Sequence, residues 1–106
     1  MQNIIYRGRT FQFDFIIKVN GVPASITDDT VIIQINKTIN SEIPAVEKEG
    51  NIDSETNGLV HFELTPEETS KLLAGIHLIQ IVWHLNESDR VFTVFDDKFT
   101  VKSVIK

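Results

Sequence analysis

The amino-acid sequence predicts an all-β domain, folded as an antiparallel two-sheet β-sandwich with one short helix. Three observations predict this fold. Apolar and polar residues alternate in several short segments, with the period of half-buried strands. Turn-forming pairs such as Asn20-Gly21 and Asn57-Gly58 separate these segments. One segment, about residues 66–73, carries helix signals instead.

The composition fits a single domain covering residues 1–106. A chain of this length buries one modest core, and its hydrophobic content of 42% is ordinary for a globular protein. Without cysteine it has neither a disulfide nor a thiol nucleophile. The net charge of −5 opposes binding to nucleic-acid phosphates. We therefore expect no nucleic-acid partner. No apolar run reaches the length of a membrane span or signal peptide, so we also expect no membrane partner and synthesis in the cytoplasm.

The alternating segments predict which side chains form the core. Every second residue is apolar in TFQFDFIIKV and TVIIQINKT, and the pattern returns in LVHFEL, IHLIQIVWHL and RVFTVFDDKFTV. The polar turn NESD joins the last two segments, which predicts a long hairpin. The predicted core residues are Phe11, Phe13, Phe15, Ile33, Phe62, Ile81, Trp83 and Phe99.

Two segments are candidates for pairing with another chain. Residues 39–46 are weakly patterned, and we predict an edge strand there with one side protected by Pro44. The N-terminal MQNIIY is short and apolar, so it could pair within the sandwich or with a neighbouring molecule. We favour the neighbour, and a homo-oligomer is one expectation.

The helix signals lie in LTPEETSKLLAGIH. Thr65 is a suitable N-cap, Pro66 stands where no N–H is needed, and Glu68 completes a T-x-x-E capping box. Gly75 is predicted to end the helix as a left-handed C-cap. Leu72 and the leucine after it would close the end of the core. We interpret the helix as a structural joint between the two sheets rather than a recognition element.

A helix between strands in this position is typical of the corner of immunoglobulin-like folds, so an immunoglobulin-like sandwich is the predicted architecture. An up-and-down barrel or an oligonucleotide-binding barrel is the alternative. The acidic charge balance fits an oligonucleotide ligand poorly.

The sequence has three histidines, His61, His77 and His84, and some of them would have to converge to form a metal site or an acid/base pair. His77 and His84 are separated by an odd number of residues on one predicted strand, so they point to opposite faces. We interpret all three as ordinary strand residues and expect no metal.

Several acidic segments were weighed as sites. Asp53 to Gly58, DSETNG, resembles the start of a calcium-binding loop, but Leu64 stands where that loop needs a bidentate glutamate. Asp28-Asp29 and Asp96-Asp97 are adjacent pairs whose side chains diverge in a strand, so we interpret them as solvated turn charges.

Catalytic motifs are missing from the sequence. It contains neither a G-x-S-x-G nucleophile motif nor a glycine-rich phosphate loop. We therefore expect a protein without enzymatic activity, catalytic residues or cofactors.

Three stretches together resemble a known family: YRGRTFQFDFIIKVNGVPASITDDTVIIQIN, NGLVHFELTPEETSKLLAGIHLIQIVW and RVFTVFDDKFTV. They are similar to the N-terminal domain family of phage baseplate upper proteins and related tail-associated immunoglobulin-like modules. The strongest match is the helix corner, with its T-x-x-L-x-x-G spacing at Thr69, Leu72 and Gly75. The resemblance extends over nearly the whole chain.

The resemblance implies a structural module of a bacteriophage virion that docks onto other tail or baseplate proteins, assembled in the cytoplasm of the bacterial host. Two alternatives from other classes stay open at this point. One is a β-sandwich that binds a carbohydrate or receptor, for which Tyr6 and Trp83 are the available aromatic platforms. The other is a phage-encoded regulator of a host protein.

Overall fold

The computed structural model describes residues 3–36 and 45–103, and the predicted all-β sandwich with one short helix is confirmed in it. The elements of this part of the chain are β1 (Ile4–Tyr6), β2 (Phe11–Ile16), β3 (Lys18–Val19), β4 (Val22–Pro23), β5 (Thr30–Asn36), β6 (Val46–Glu49), β7 (Asn51–Ser54), β8 (Leu59–Leu64), α1 (Pro66–Ser70), β9 (Gly75–His84) and β10 (Val91–Lys102).

The strands form two packed sheets and a small hairpin. One sheet has five strands in the order β1-β10-β9-β5-β6, the other has three in the order β2-β8-β7, and β3 pairs with β4. Among the described strands, all pairs are antiparallel except β1 with β10, which is parallel. The order β2-β8-β7 matches strands B, E and D of an immunoglobulin domain, and β10-β9-β5 matches G, F and C.

The core lies between the inward faces of these two sheets. Ile33, Phe62 and Ile81 are fully buried there, and Trp83 and Phe99 are nearly so. Ile33 and Phe62 belong to strands whose burial alternates, because successive side chains of a strand point to opposite faces. In β9 the alternation ends at Ile81, and Val82 and Trp83 are buried as well.

Phe11, Phe13 and Phe15 occupy the inward face of β2 but are only half-buried. Their rings pack on the other sheet. The Phe13 and Phe15 centroids lie 5.6 and 5.4 Å from that of Phe95, and the Phe11 centroid lies 6.0 Å from that of Phe99. The partial exposure arises because β2 is the last strand of its sheet.

Two of the turns depend on positive φ angles. Asn20 and Gly21, with φ of 53° and 80°, close the β3–β4 hairpin, as their residue types predict. Gly58 has φ of 67°, and a Cβ there would lie 2.6 Å from the Ile17 carbonyl oxygen, so a side chain would be both strained and obstructed.

Two predictions about pairing have different outcomes. Residues Ile4–Tyr6 of the N-terminal segment pair with Thr100, Val101 and Lys102 of the same chain, so our preference for a neighbouring molecule was wrong for these residues. The predicted edge strand over residues 39–46, with Pro44, lies almost wholly outside the described residues. Within the described residues no helix is long and apolar enough to cross a membrane.

Candidate protein-interaction surface

The corner helix α1 is fixed at its start by a capping box. The Thr65 hydroxyl accepts from the Glu68 N–H at 3.1 Å, and the Thr65 N–H donates to Glu68 Oε1 at 2.9 Å, with Pro66 in the first helical turn. Glu68 Oε1 also lies 2.8 Å from Lys48 Nζ of β6, so the helix start is tied to the five-stranded sheet. The Lys48 hydrogen bond, helped by the Thr65 N–H, lowers the pKa of Glu68.

Further contacts tie the helix to the N-terminal segment. Thr69 is fully buried, and its hydroxyl donates to the Arg9 carbonyl at 2.8 Å. Arg7 Nη2 donates to the Ser70 carbonyl at 3.1 Å. Leu72 is also fully buried. The inward-facing side chains of the corner therefore stabilise the fold.

The helix is shorter than the predicted residues 66–73, because it ends at Ser70. The N–H groups of Lys71 and Leu72 bond back three residues, so the chain tightens and leaves the helix early. Gly75 is therefore not the C-cap; with φ of 131° it begins β9. Leu73 is 59% exposed, so only Leu72 closes the core.

The sandwich is open along one side, where β2 and β3 form a free edge. Within the described residues no strand pairs with the outer side of β2. The Ile17 N–H donates to the Gly58 carbonyl and the Ile17 carbonyl accepts from Ala24, so odd-numbered residues direct their backbone groups into the fold. The backbone groups that point outward belong to the even-numbered residues Gln12, Asp14, Ile16 and Lys18.

The first half of β10 forms a second free edge, in the facing sheet. β1 pairs only with Thr100 to Lys102, so residues 91–98 have no strand on that side in the described part of the chain. Side chains close the part nearest β1, because Asp97 Oδ1 accepts from the Lys98 N–H at 2.8 Å and Asp97 Oδ2 accepts from Asn3 Nδ2 at 3.0 Å. We call the β2–β3 edge, residues 91–96 and the phenyl rings between them the open side.

A groove of about 390 Å³ lies at the β3 end of the open side. Val19, Trp83 and Phe92 line it, with Lys18 also among the lining residues. Phe92 is 44% exposed, and its ring centroid lies 6.0 Å from that of Trp83. Exposed apolar side chains beside unpaired backbone groups are typical of a surface that accepts a partner strand.

Trp83 is 8% exposed, and its indole N–H donates to Asp29 Oδ2 at 2.8 Å. Asp29 Oδ1 accepts from the Asn86 N–H at 2.9 Å. The interpretation of Asp28-Asp29 and Asp96-Asp97 as solvated turn charges was therefore wrong for Asp29, whose carboxylate accepts from the buried Trp83 indole and the Asn86 N–H. A long-range bond of this kind leaves no pattern in the sequence. Asp97 is exposed, as expected, but it lies within β10 rather than in a turn.

A polar cluster lies on the outer face of the three-stranded sheet. The register of β2 and β8 places Asp14 opposite His61, and His61 Nδ1 donates to Asp14 Oδ1 at 2.5 Å. Glu63 Oε1 lies 4.0 Å from His61 Nε2, and Asp53 is also close. The Asp14 hydrogen bond raises the pKa of His61, and the surrounding carboxylate charges act in the same direction.

Sequence reasoning missed this cluster, because it depends on the register of three strands. One ligand atom from each of Asp14, Asp53 and His61 lies within 4.8 Å of the others, so the group could contact a divalent cation. The Asp14–His61 ion pair already accounts for two of the three side chains. His77 is buried and His84 lies on the opposite face, as their spacing predicts.

Comparisons with known proteins show a similarity in fold but none in sequence family. No protein-family model matches the sequence, and no curated protein matches it. Among solved structures, the chain is similar to the "N-terminal domain of phage TP901-1 ORF48", with a TM-score of 0.61 and 11% sequence identity. The similarity covers 97% of this chain and 84% of that chain. At this identity the likeness shows a shared fold, so the expected resemblance to a phage domain is confirmed at the level of the fold.

Proposed function

We propose that this protein is a non-enzymatic structural module of a bacteriophage virion, associated with the tail or baseplate, and that it acts by docking to other virion proteins. The observation that carries the proposal is the whole-chain similarity in fold to the N-terminal domain of a phage protein. The sequence resemblance to tail-associated immunoglobulin-like modules supports the same assignment.

The open side supports a docking role on independent physical grounds. In the described residues, the unpaired edge of β10 over residues 91–96 presents backbone donors and acceptors that a strand from another protein can satisfy. The adjoining groove exposes Val19 and Phe92, which an apolar side chain of that strand can cover. Main-chain bonding together with a nearby apolar groove is the combination that strand addition requires.

The corner helix is less suited to docking, because its polar groups are largely used within the fold. Trp83 is similarly unsuited to stacking on a sugar, because it is buried and bonded to Asp29. The burial of Trp83 counts against it as a sugar platform, whereas Tyr6, the other candidate platform, is 48% exposed.

The test is quantitative mass spectrometry of purified particles from the phage or prophage whose genome carries this sequence. We expect a fixed number of copies per particle, equal to the symmetry of a tail or baseplate ring or to a multiple of it. Absence from particles made in cells that contain the protein would contradict the proposal and favour the host-directed regulator. A sub-stoichiometric, variable count would indicate contamination and would contradict it equally.

A further inference from the structure

In the described residues, the free edge of β2 and β3 is self-complementary in charge. On its outer face, alternation places Asp14, Ile16 and Lys18 in a row, with the apolar residue between an acid and a base. Ile16 is 45% exposed, so a partner strand could cover it. An identical strand laid antiparallel and centred on Ile16 puts each Asp14 opposite Lys18 of the other copy.

We propose that two copies of this chain form a two-fold symmetric dimer by antiparallel pairing of their β2–β3 edges about Ile16. The Ile16 N–H of each copy then donates to the Ile16 carbonyl of the other. The two three-stranded sheets join into one continuous six-stranded sheet. The inference does not depend on a phage origin, because it uses only the edge itself.

Backbone direction permits this register. Ile17 directs its N–H and C=O groups into the fold, so alternation along the strand directs those of Asp14, Ile16 and Lys18 away from it. The pairs centred on Ile16 are therefore hydrogen-bonded pairs. A register one residue away would set Asp14 opposite Ile16. A register two residues toward the N-terminus would set the two Asp14 carboxylates against each other, which is repulsive.

The rest of the molecule leaves room at the axis. In the facing sheet, residues 92–94 line the same groove as Lys18 and Val19, so they lie level with the Lys18 end of the pairing. That part of β10 has no strand beside it among the described residues, whereas β1 extends the sheet only at Thr100–Lys102, beyond the Phe11 end of β2. The second copy therefore meets an open layer rather than a projecting strand.

Asp14 is available for the ion pair although it already contacts His61. His61 lies on β8, inside the sheet, and bonds Asp14 Oδ1. Lys18 of the second copy approaches from the opposite side of β2, where the side chain of Asp14 is 67% exposed. The carboxylate has a second oxygen for this contact.

Sedimentation equilibrium over a range of concentrations tests the dimer. The unaltered chain should move from 12.0 kDa toward twice that mass as concentration rises. D14K and K18D each turn two attractive pairs into repulsive ones, so each should weaken the dimer at least about tenfold. Mixing the two variants restores both pairs across a heterodimer, because one strand is then basic and the other acidic, and the mixture should associate.

Two further variants separate edge pairing from a general change in surface charge. Ile16→Lys sets two lysines together at the axis and should abolish association. Ile76→Lys replaces a still more exposed isoleucine, 63% exposed on the five-stranded sheet against 45% for Ile16, and should leave association unchanged. In hydrogen exchange, the Ile16 amide should become protected as concentration rises.

A chain that remains monomeric at every concentration would overturn the proposal, as would a mixture of D14K and K18D that fails to associate although each folds. Equal effects of the lysine substitutions at Ile16 and Ile76 would also overturn it. If the virion count contradicts the phage assignment while the mixture associates, only the proposed function fails.

Discussion

The corner and the open side differ in how their backbone hydrogen-bonding groups are satisfied. At the corner, Thr65, Glu68 and Thr69 satisfy the backbone groups of helix and loop with side chains from the same chain. On the open side, the outward backbone groups of the β2–β3 edge have no such partner in the described residues. A β-sandwich must complete its chain reversals internally, but it can leave one edge for another molecule.

The comparison predicts that stability is concentrated at the corner. Leu72→Ala should lower the free energy of unfolding by about 3 kcal/mol, because it leaves a cavity where a fully buried side chain closes the core. Urea denaturation measures this. Leu73→Ala at the exposed neighbouring position and Ile16→Ala on the open side should each change it by less than about 0.5 kcal/mol in the monomer. Equal losses at Leu72 and Leu73 would contradict the buried assignment.

A smaller effect is expected from the hydroxyl that joins the corner to the N-terminal segment. Thr69→Val keeps the shape of the side chain but removes its bond to the Arg9 carbonyl, so the free energy of unfolding should fall by about 1–2 kcal/mol. Thr69→Ser, which keeps the hydroxyl, is the matched control and should lose less. If valine proves as stable as threonine in urea denaturation, the bond does not anchor the corner.

The ion pair between Lys48 and Glu68 makes the corner sensitive to acid. The folded protein lowers the pKa of Glu68 below its ordinary 4.5, so this contribution to stability is present above that value and is lost as pH falls through the folded pKa. Denaturation at about pH 7 and about pH 3 should show a smaller loss for Glu68→Gln than for the unaltered chain. An identical acid loss in both would show that other carboxylates dominate.

The corner could be predicted from the sequence more completely than the open side, because its signals are local. Strand alternation and the capping box are local patterns, so Phe62 and Thr65 could be placed without knowing the fold. Gly75 was misassigned because the helix ends at Ser70, where the N–H groups of Lys71 and Leu72 bond back three residues. The partial exposure of Phe13 and the open edge follow from which strand ends the sheet, and strand order is not a local property.

The smallest expected effect lies on the outer face beside the open side, at His61. Its pKa is raised above 6.5, so the charged imidazole stabilises the fold below that value, and the contribution is lost as pH rises through the folded pKa. In a nuclear magnetic resonance titration, Asp14→Asn should lower the pKa of His61 more than Asp53→Asn, because the Asp14 hydrogen bond is the largest cause. The reverse order would mean that the charge of Asp53, rather than the hydrogen bond from Asp14, is the main cause of the raised pKa. Because Asp14 also faces the proposed dimer axis, a pKa of His61 that changes with protein concentration would connect this ion pair to the pairing of the two edges.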